Sequence, residues 1–269
     1  MGHFVRKQFS GPVVAVTGSN GKTTTKELIA AALSLRGHVH KTTGNLNNRI
    51  GLPASIFACP EEAVSAVYEM GMNMPGEIAE LTDIAEPTVG VITNVARAHL
   101  SGLGSLEAVA KAKAELFAQL SNTATAIINA DDHSIECICA GALRGQSQIR
   151  FGYHPYATVQ ILNARHQTGG LGISLNVGGQ LVDLVVPLIG LHNAHNVAAA
   201  VAVALALRLD VTALQPALAS VVLPKGRMRL LRVQDPQVVV LDDTYNASPQ
   251  SMQAGLELLG PVALKGLLG

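Results

Sequence analysis

Val13-Val14-Ala15-Val16-Thr17-Gly18-Ser19-Asn20-Gly21-Lys22-Thr23-Thr24-Thr25 decides the fold. A run of β-prone residues enters a turn with two glycines, and Lys22-Thr23 opens a helical pattern that extends to about residue 35 and closes at Gly37. A strand that turns through glycines into a helix lets successive backbone N–H groups point at one phosphate. The helix N-terminus adds partial positive charge at the same place. Gly18, Asn20, Gly21, Lys22, Thr23 and Thr24 are therefore the expected nucleotide-binding residues, with Lys22 reaching the terminal phosphates and the Thr23 hydroxyl ligating Mg²⁺. The loop is shorter than a strict Walker A, which would place glycine at position 16, where this chain has Val16.

Outward from this loop the first half alternates strands and helices. Strand patterns at 64–69, 89–93 and 124–129 are separated by helical patterns after Pro75 and over 105–120. Such alternation indicates βαβ units. From 157 to 187 three β-like stretches are divided by Gly169-Gly170 and Gly178-Gly179, which reads as antiparallel pairing. A helix follows near Asn193, two strands come after Pro224, and a last helix covers 248–259. The predicted fold is α/β: a P-loop parallel sheet flanked by helices, with a smaller antiparallel β subregion. By the resemblance described below, residues 1–12 are expected to be an N-terminal remnant, 13–235 a central domain, and 236–269 the start of a truncated further domain.

Composition limits the function. Of 269 residues 48% are hydrophobic and 14% charged, enough apolar material for a large core. With 3% aromatics and no Trp, that core must be built from Ala, Val, Leu and Ile. Basic and acidic residues balance at 19 each, so bulk electrostatics give no reason to expect nucleic-acid binding. Cys59, Cys137 and Cys139 are odd in number and contain no C-x-x-C, which fits a reducing cytoplasm rather than a disulfide framework or a zinc site. The first twelve residues lack the apolar stretch of a signal peptide. The longest apolar run, 197–207, is about half a membrane span and reads as a buried helix.

Lys113 stands out. In the 105–120 helix it shares a stripe with Leu106, Val109, Ala110, Phe117 and Leu120. The ordinary reading is a stem that snorkels to the rim; the other is an amine buried for its chemistry. The acid that would complete a metal site beside Thr23 is either Glu69 or one of Asp242 and Asp243, and the residue pattern leaves that choice open.

Several further segments, in order, resemble the Mur ligase family. They are Gly44-Asn45-Leu46-Asn47-Asn48-Arg49-Ile50-Gly51-Leu52-Pro53, Glu69-Met70-Gly71-Met72-Asn73 with Pro75-Gly76-Glu77-Ile78, Thr93-Asn94-Val95 with Ala98-His99-Leu100, Gly190-Leu191-His192-Asn193 with Asn196, Gly226-Arg227, and Asp242 to Pro249. The shortened P-loop matches as well. The resemblance implies an ATP-dependent carboxylate–amine ligase of peptidoglycan precursor synthesis, with the consequences for cell wall, cell shape and cell division that such a role carries. The branch it matches joins D-alanyl-D-alanine to UDP-N-acetylmuramoyl-tripeptide through an acyl phosphate. It implies Glu69 and His99 as metal ligands beside Thr23, and two Mg²⁺ ions. It implies Lys113 as a lysine carbamylated by CO₂, whose anion helps to hold metal, so that Lys22, His99 and Lys113 form the catalytic group. It also implies Asn193 and Asn196 near the adenine, Arg227 and Asp242 at the nucleotide, and Asn45 and Asn48 facing the UDP-linked substrate. A cytoplasmic monomer without membrane or nucleic-acid partner is expected. Two other readings are a nucleotide-binding fragment without full ligation and a GTPase-type switch. The second would want an N-K-x-D motif, which the sequence lacks.

Overall fold

The computed structural model describes residues 2–96, 104–232, 239–247 and 249–258. Among these the elements are α1 (Gly2–Arg6), β1 (Val13–Thr17), α2 (Lys22–Leu33), β2 (Val39–Lys41), α3 (Gly51–Phe57), β3 (Ser65–Glu69), α4 (Glu77–Ala85), β4 (Val89–Ile92), α5 (Leu106–Gln119) and β5 (Thr125–Asn129). They continue with β6 (Ser147–Gly152), β7 (Val159–Gln167), β8 (Gly170–Val177), β9 (Gln180–Val186), α6 (Asn193–Ala206), α7 (Gln215–Ala219), β10 (Arg229–Arg232), β11 (Val239–Asp242) and α8 (Pro249–Leu258). One sheet runs β2-β3-β1-β4-β5-β6-β7-β8-β9, and β10 pairs with β11 in a separate antiparallel ladder.

Neighbours from β2 to β7 are parallel, and β7, β8 and β9 are antiparallel. The antiparallel subregion expected from the glycine turns is therefore a continuation of the main sheet, joined where β6 pairs with β7. Gly178 and Gly179 have φ of 58° and 97°, the backbone that a two-residue hairpin turn demands.

β1 is buried at all five positions because the alternation of its side chains feeds two cores. Val14 and Val16 pack into the cluster that holds Leu28 and Ile29 of α2 and most of α6. Val13 and Ala15 pack into the opposite cluster with Leu52 of α3, Leu81 of α4 and Phe117 of α5. Helix α6 is buried continuously over 196–204, as the unbroken apolar run implies. Its Ala and Val side chains are small, which lets it lie close to both α2 and the strands beneath. No helix among the described residues is long and apolar enough to cross a membrane.

Strand order places the P-loop. β1 lies beside β4; the crossover after β1 leads to β2 on one side and that after β4 to β5 on the other, so a crevice opens at their carboxyl ends. The short elements β2, α3, β6 and α7 were not separable in the sequence, and neither was a wide helical turn over Ile135–Cys139. β2 and α7 are brief, α3 carries Pro53, and β6 has only Ile149 and Phe151 as large apolar residues, unlike the apolar runs of β1, β3, β4 and β5. α1 is held by Arg6, which donates to the carbonyl oxygens of Ala85, Phe9 and Glu86.

β9 is the last strand in the order, and its free edge is partly covered by Gln215 at the start of α7. The Gln215 amide accepts from Val185 N–H at 2.8 Å and donates to Val185 C=O at 3.0 Å, pairing that residue as a further strand would. Gln215→Ala should lower stability by about 1–3 kcal/mol, the sum of two ordinary hydrogen bonds. Urea denaturation followed by circular dichroism measures it, and an unchanged midpoint would show that water replaces the amide at no cost.

Candidate active site

The crevice is a cavity of about 900 Å³ lined by the P-loop, the 45–49 loop, Glu69, Lys113, the 129–134 segment, Asn193, Asn196 and Arg227. Its floor is the loop after β1, stapled to the segment after β4. Asn94 accepts from Asn20 N–H at 2.9 Å and donates to Asn20 C=O at 3.0 Å. Thr93 Oγ1 donates to the same carbonyl at 2.6 Å, and Ser19 N–H donates to Asn94 C=O at 2.9 Å. Two glycines are required by contact. A Cβ on Gly18 would lie 1.9 Å from Thr93 Oγ1, and one on Gly21 would lie 2.5 Å from Asn196 Oδ1. Gly21 also has φ 78°, where side chains are strained.

Lys22 arches over this loop, its Nζ donating to Gly18 C=O at 2.8 Å and to Ser19 C=O at 3.3 Å. Burial lowers its pKa; Glu69 opposes the shift and Arg227 adds to it. Thr23 Oγ1 donates to Glu69 Oε2 at 2.7 Å, and Asn47 Nδ2 donates to Glu69 Oε1 at 2.9 Å. Glu69 is thus the acid beside Thr23, while Asp242 lies at the end of β11 and braces Gly226 N–H and Thr244. Behind Glu69, Thr42 Oγ1 accepts its N–H at 3.0 Å, and buried Lys26 donates to Thr42 C=O at 2.7 Å. Lys26 is paired with Glu27, which also meets Lys41.

Lys113 is 2% exposed and lines the cavity, so its stem does not snorkel to the surface. Burial is the main cause that lowers its pKa from 10.5 to about 7; the Lys22 charge adds to the shift and Cys139 opposes it. The cavity therefore holds one amine that is half neutral near pH 7.

Other expected residues are also brought here. Asn193 and Asn196 stand at the start of α6 in a chain of amides: Thr25 Oγ1 donates to Asn196, Asn196 to Asn193, and Asn193 to Ile189 C=O. They tie α6 to α2 beneath the P-loop. Asn45 and Asn48 line the cavity, and Asn48 Oδ1 accepts from Ile50 and Gly51 N–H at the start of α3. Arg227 lines the same cavity. Asp243, rather than Asp242, is among the lining residues. His99 lies outside the described residues.

Some residues carried no role in the sequence reading. Asp131 accepts from Tyr153 N–H at 2.7 Å and His154 N–H at 3.0 Å, and meets His195 Nε2 at 2.7 Å. Asp132 accepts from Val95 N–H at 2.7 Å. Both follow the carboxyl end of β5, where ligands of open α/β sheets bind, and that rule is the signal that would have found them. Asn47 stood inside a quoted motif with no role of its own.

Thr23 and Glu69 present a hydroxyl and a carboxylate, the hard oxygen donors that suit Mg²⁺. Among the described residues no group of three or more His, Cys, Asp or Glu is close enough to hold a metal.

Comparison with known proteins agrees with this geometry. The Mur ligase middle domain family matches residues 16–204. The UDP-N-acetylmuramoyl-tripeptide--D-alanyl-D-alanine ligase of Synechocystis sp. is 46% identical over 255 residues, 94% of this chain and 53% of the relative. Its Escherichia coli counterpart is 37% identical over 259 residues, 95% of this chain and 56% of the relative. The crystal structure of MurF from Acinetobacter baumannii superposes with a TM-score of 0.90 at 31% identity, covering 96% of this chain and 56% of that one. MurF from Thermotoga maritima in complex with ADP gives a TM-score of 0.85 at 32% identity, covering 96% and 59%. The chain spans little more than half the length of these relatives.

The depressed Lys113 pKa has a consequence for stability. Between about 7 and 10.5 the unfolded chain holds a proton on Lys113 that the folded chain does not. Stability from this group therefore rises with pH across that window, and its full cost is present below it. In CO₂-free buffer, Lys113→Met should raise the urea midpoint most at and below about pH 7, with the gain shrinking toward pH 10. A gain that is flat across this range would mean that Lys113 is solvated as an ordinary lysine.

Proposed function

The chain belongs to the Mur ligase family, and on that premise we propose that its cavity activates a carboxylate with ATP for coupling to an amine. The substrates proposed are UDP-N-acetylmuramoyl-tripeptide and D-alanyl-D-alanine, in cytoplasmic peptidoglycan precursor synthesis, with residues 13–235 as the central ATP-binding domain. One observation carries the reading. A P-loop lysine, a Thr–Glu pair and a buried, weakly basic lysine converge on one cavity.

The chemistry assigns each group a task. A carboxylate oxygen of the tripeptide attacks the γ-phosphorus of ATP, the bond to the β,γ-bridging oxygen breaks, and ADP leaves. The amine of the dipeptide then attacks the acyl carbon, and phosphate departs from the tetrahedral intermediate with loss of a proton from nitrogen. Both carboxylate and phosphate are anionic, so bringing them together is the main electrostatic barrier. Lys22 and Arg227, which line the same cavity, offset that charge, and the loop N–H groups hold the phosphates in line. Mg²⁺, held by Thr23, Glu69 and His99, would supply further positive charge at the transferring phosphoryl group. The amine of Lys113, when neutral, would add to CO₂ and release a proton to water, and the resulting carbamate would supply oxygen donors for the metal beside Thr23 and Glu69. Asn193 and Asn196 set the floor on the base side, Asp242 braces the segment that carries Arg227, and Asn45 and Asn48 face the acyl substrate.

Lys22→Ala should weaken Mg-ATP binding by about ten- to a hundred-fold, since a charge-assisted contact in a buried site is lost. Isothermal titration calorimetry reads the change, and wild-type affinity in this variant would remove the P-loop assignment. Lys113→Ala should keep Mg-ATP binding but lose ADP release dependent on the UDP-linked tripeptide, and added bicarbonate should not restore it. A coupled ADP assay with and without D-alanyl-D-alanine checks the ligation. Nucleotide binding with no substrate-dependent turnover would favour the reading as a nucleotide-binding module.

A further inference from the structure

Two chain segments that meet at the cavity are laced together backbone to side chain. Gly226 N–H donates to Asp242 Oδ2 at 3.1 Å, Met228 N–H to Asp243 Oδ1 at 3.2 Å, and Tyr245 N–H to Gly226 C=O at 3.0 Å. A Cβ on Gly226 would lie 2.9 Å from Tyr245 N, so only glycine permits this approach. Met228 takes φ 47°, a strained value for a long side chain, which the lacing enforces. Arg227 lies between these fixed points. Its Cζ sits 4.0 Å from the centroid of the Tyr245 ring, and its Nε is buried with no hydrogen-bond partner. Arg227, Tyr245 and Lys22 all line the same cavity.

We propose that Tyr245 is a positioning residue for Arg227: the ring face holds the guanidinium plane so that its N–H edge is presented to the anion bound at the P-loop. The proposal rests on the nucleotide reading of the cavity given above. Stacking is suited to this task because it engages the face of the guanidinium and leaves every N–H donor available. An acidic partner would hold the side chain equally well but would neutralise it and occupy the donors that an anion needs. The orphaned Nε fits the same scheme, since a buried donor without a partner is costly until an anionic oxygen accepts from it. The phenol hydroxyl has no part in the contact, so the ring alone should suffice.

The test is the affinity of the chain for Mg-ADP by calorimetry in four variants, with thermal melts to confirm folding. Tyr245 is half exposed, so its replacement leaves the core intact. Arg227→Ala should weaken binding about ten-fold or more. Tyr245→Leu should weaken it about three- to five-fold, and Tyr245→Phe should recover what Leu loses. The double variant Tyr245→Leu with Arg227→Ala should bind like Arg227→Ala alone, because the tyrosine acts only through the arginine. If Tyr245→Leu binds like wild type while Arg227→Ala is weak, the stack has no function and the nucleotide reading survives. If Phe is as weak as Leu, the hydroxyl rather than the ring is responsible. Fully additive losses would mean that Tyr245 meets the nucleotide itself. Wild-type affinity in Arg227→Ala would overturn both the proposal and the role of Arg227 beneath it.

Discussion

Asn94 holds both the N–H and the C=O of Asn20, and the rest of the cavity is placed relative to the loop fixed by that pair of hydrogen bonds. The constraint starts in sheet order. β4 lies beside β1, so the residues that follow each strand emerge side by side, and Thr93 and Asn94 can take up the polar groups of a turn that has no ladder of its own. With these groups occupied, the loop keeps one shape, and Lys22, Thr23 and the α2 N-terminus inherit fixed positions. Thr23 then reaches Glu69 at the end of β3, the neighbour on the other side.

Charge is arranged around the same point. The chain as a whole is neutral, yet Lys22, Lys113 and Arg227 share one cavity. Buried cations so close would repel and lose hydration, and the structure handles each differently. Lys26, a turn behind Thr23, is paired with Glu27. Lys22 leans on loop carbonyls. Arg227 lies over the face of Tyr245. Lys113 sheds its proton readily, being both buried and near Lys22. The last two make a site that is electropositive toward an anion and at the same time holds a nucleophilic amine.

The poverty of aromatics has a structural counterpart in α6. A helix buried around its whole circumference must pack against the sheet on one side and α2 on the other, and Ala and Val permit both contacts at short range. That closeness also brings Asn196 under Gly21, where a side chain at 21 would collide with it. Packing and site geometry are therefore one requirement in this part of the molecule.

Much was legible in consecutive residues. Strand, glycine turn and helix at 13–33 carry their own signature, as do the alternation that makes the sheet parallel and the hairpin glycines at 178–179. The helical stripe already put Lys113 on a core face, and the glycine positions of the loop after β1 follow from turn chemistry alone. Short elements such as β2, α3 and β6 were not legible, because they lack the apolar runs that mark the equally short β1, β3, β4 and β5. The sequence by itself determined the local units and the phosphate-loop pattern of 17–24. Tertiary structure decided which units meet: Glu69 rather than Asp242 beside Thr23, 46 positions away; His195 on Asp131, 64 positions away; Asn196 on Thr25, 171 positions away. These partners depend on the order of strands in the sheet. That order is set by burial of both faces and by the crossovers, and no stretch of neighbouring residues encodes it.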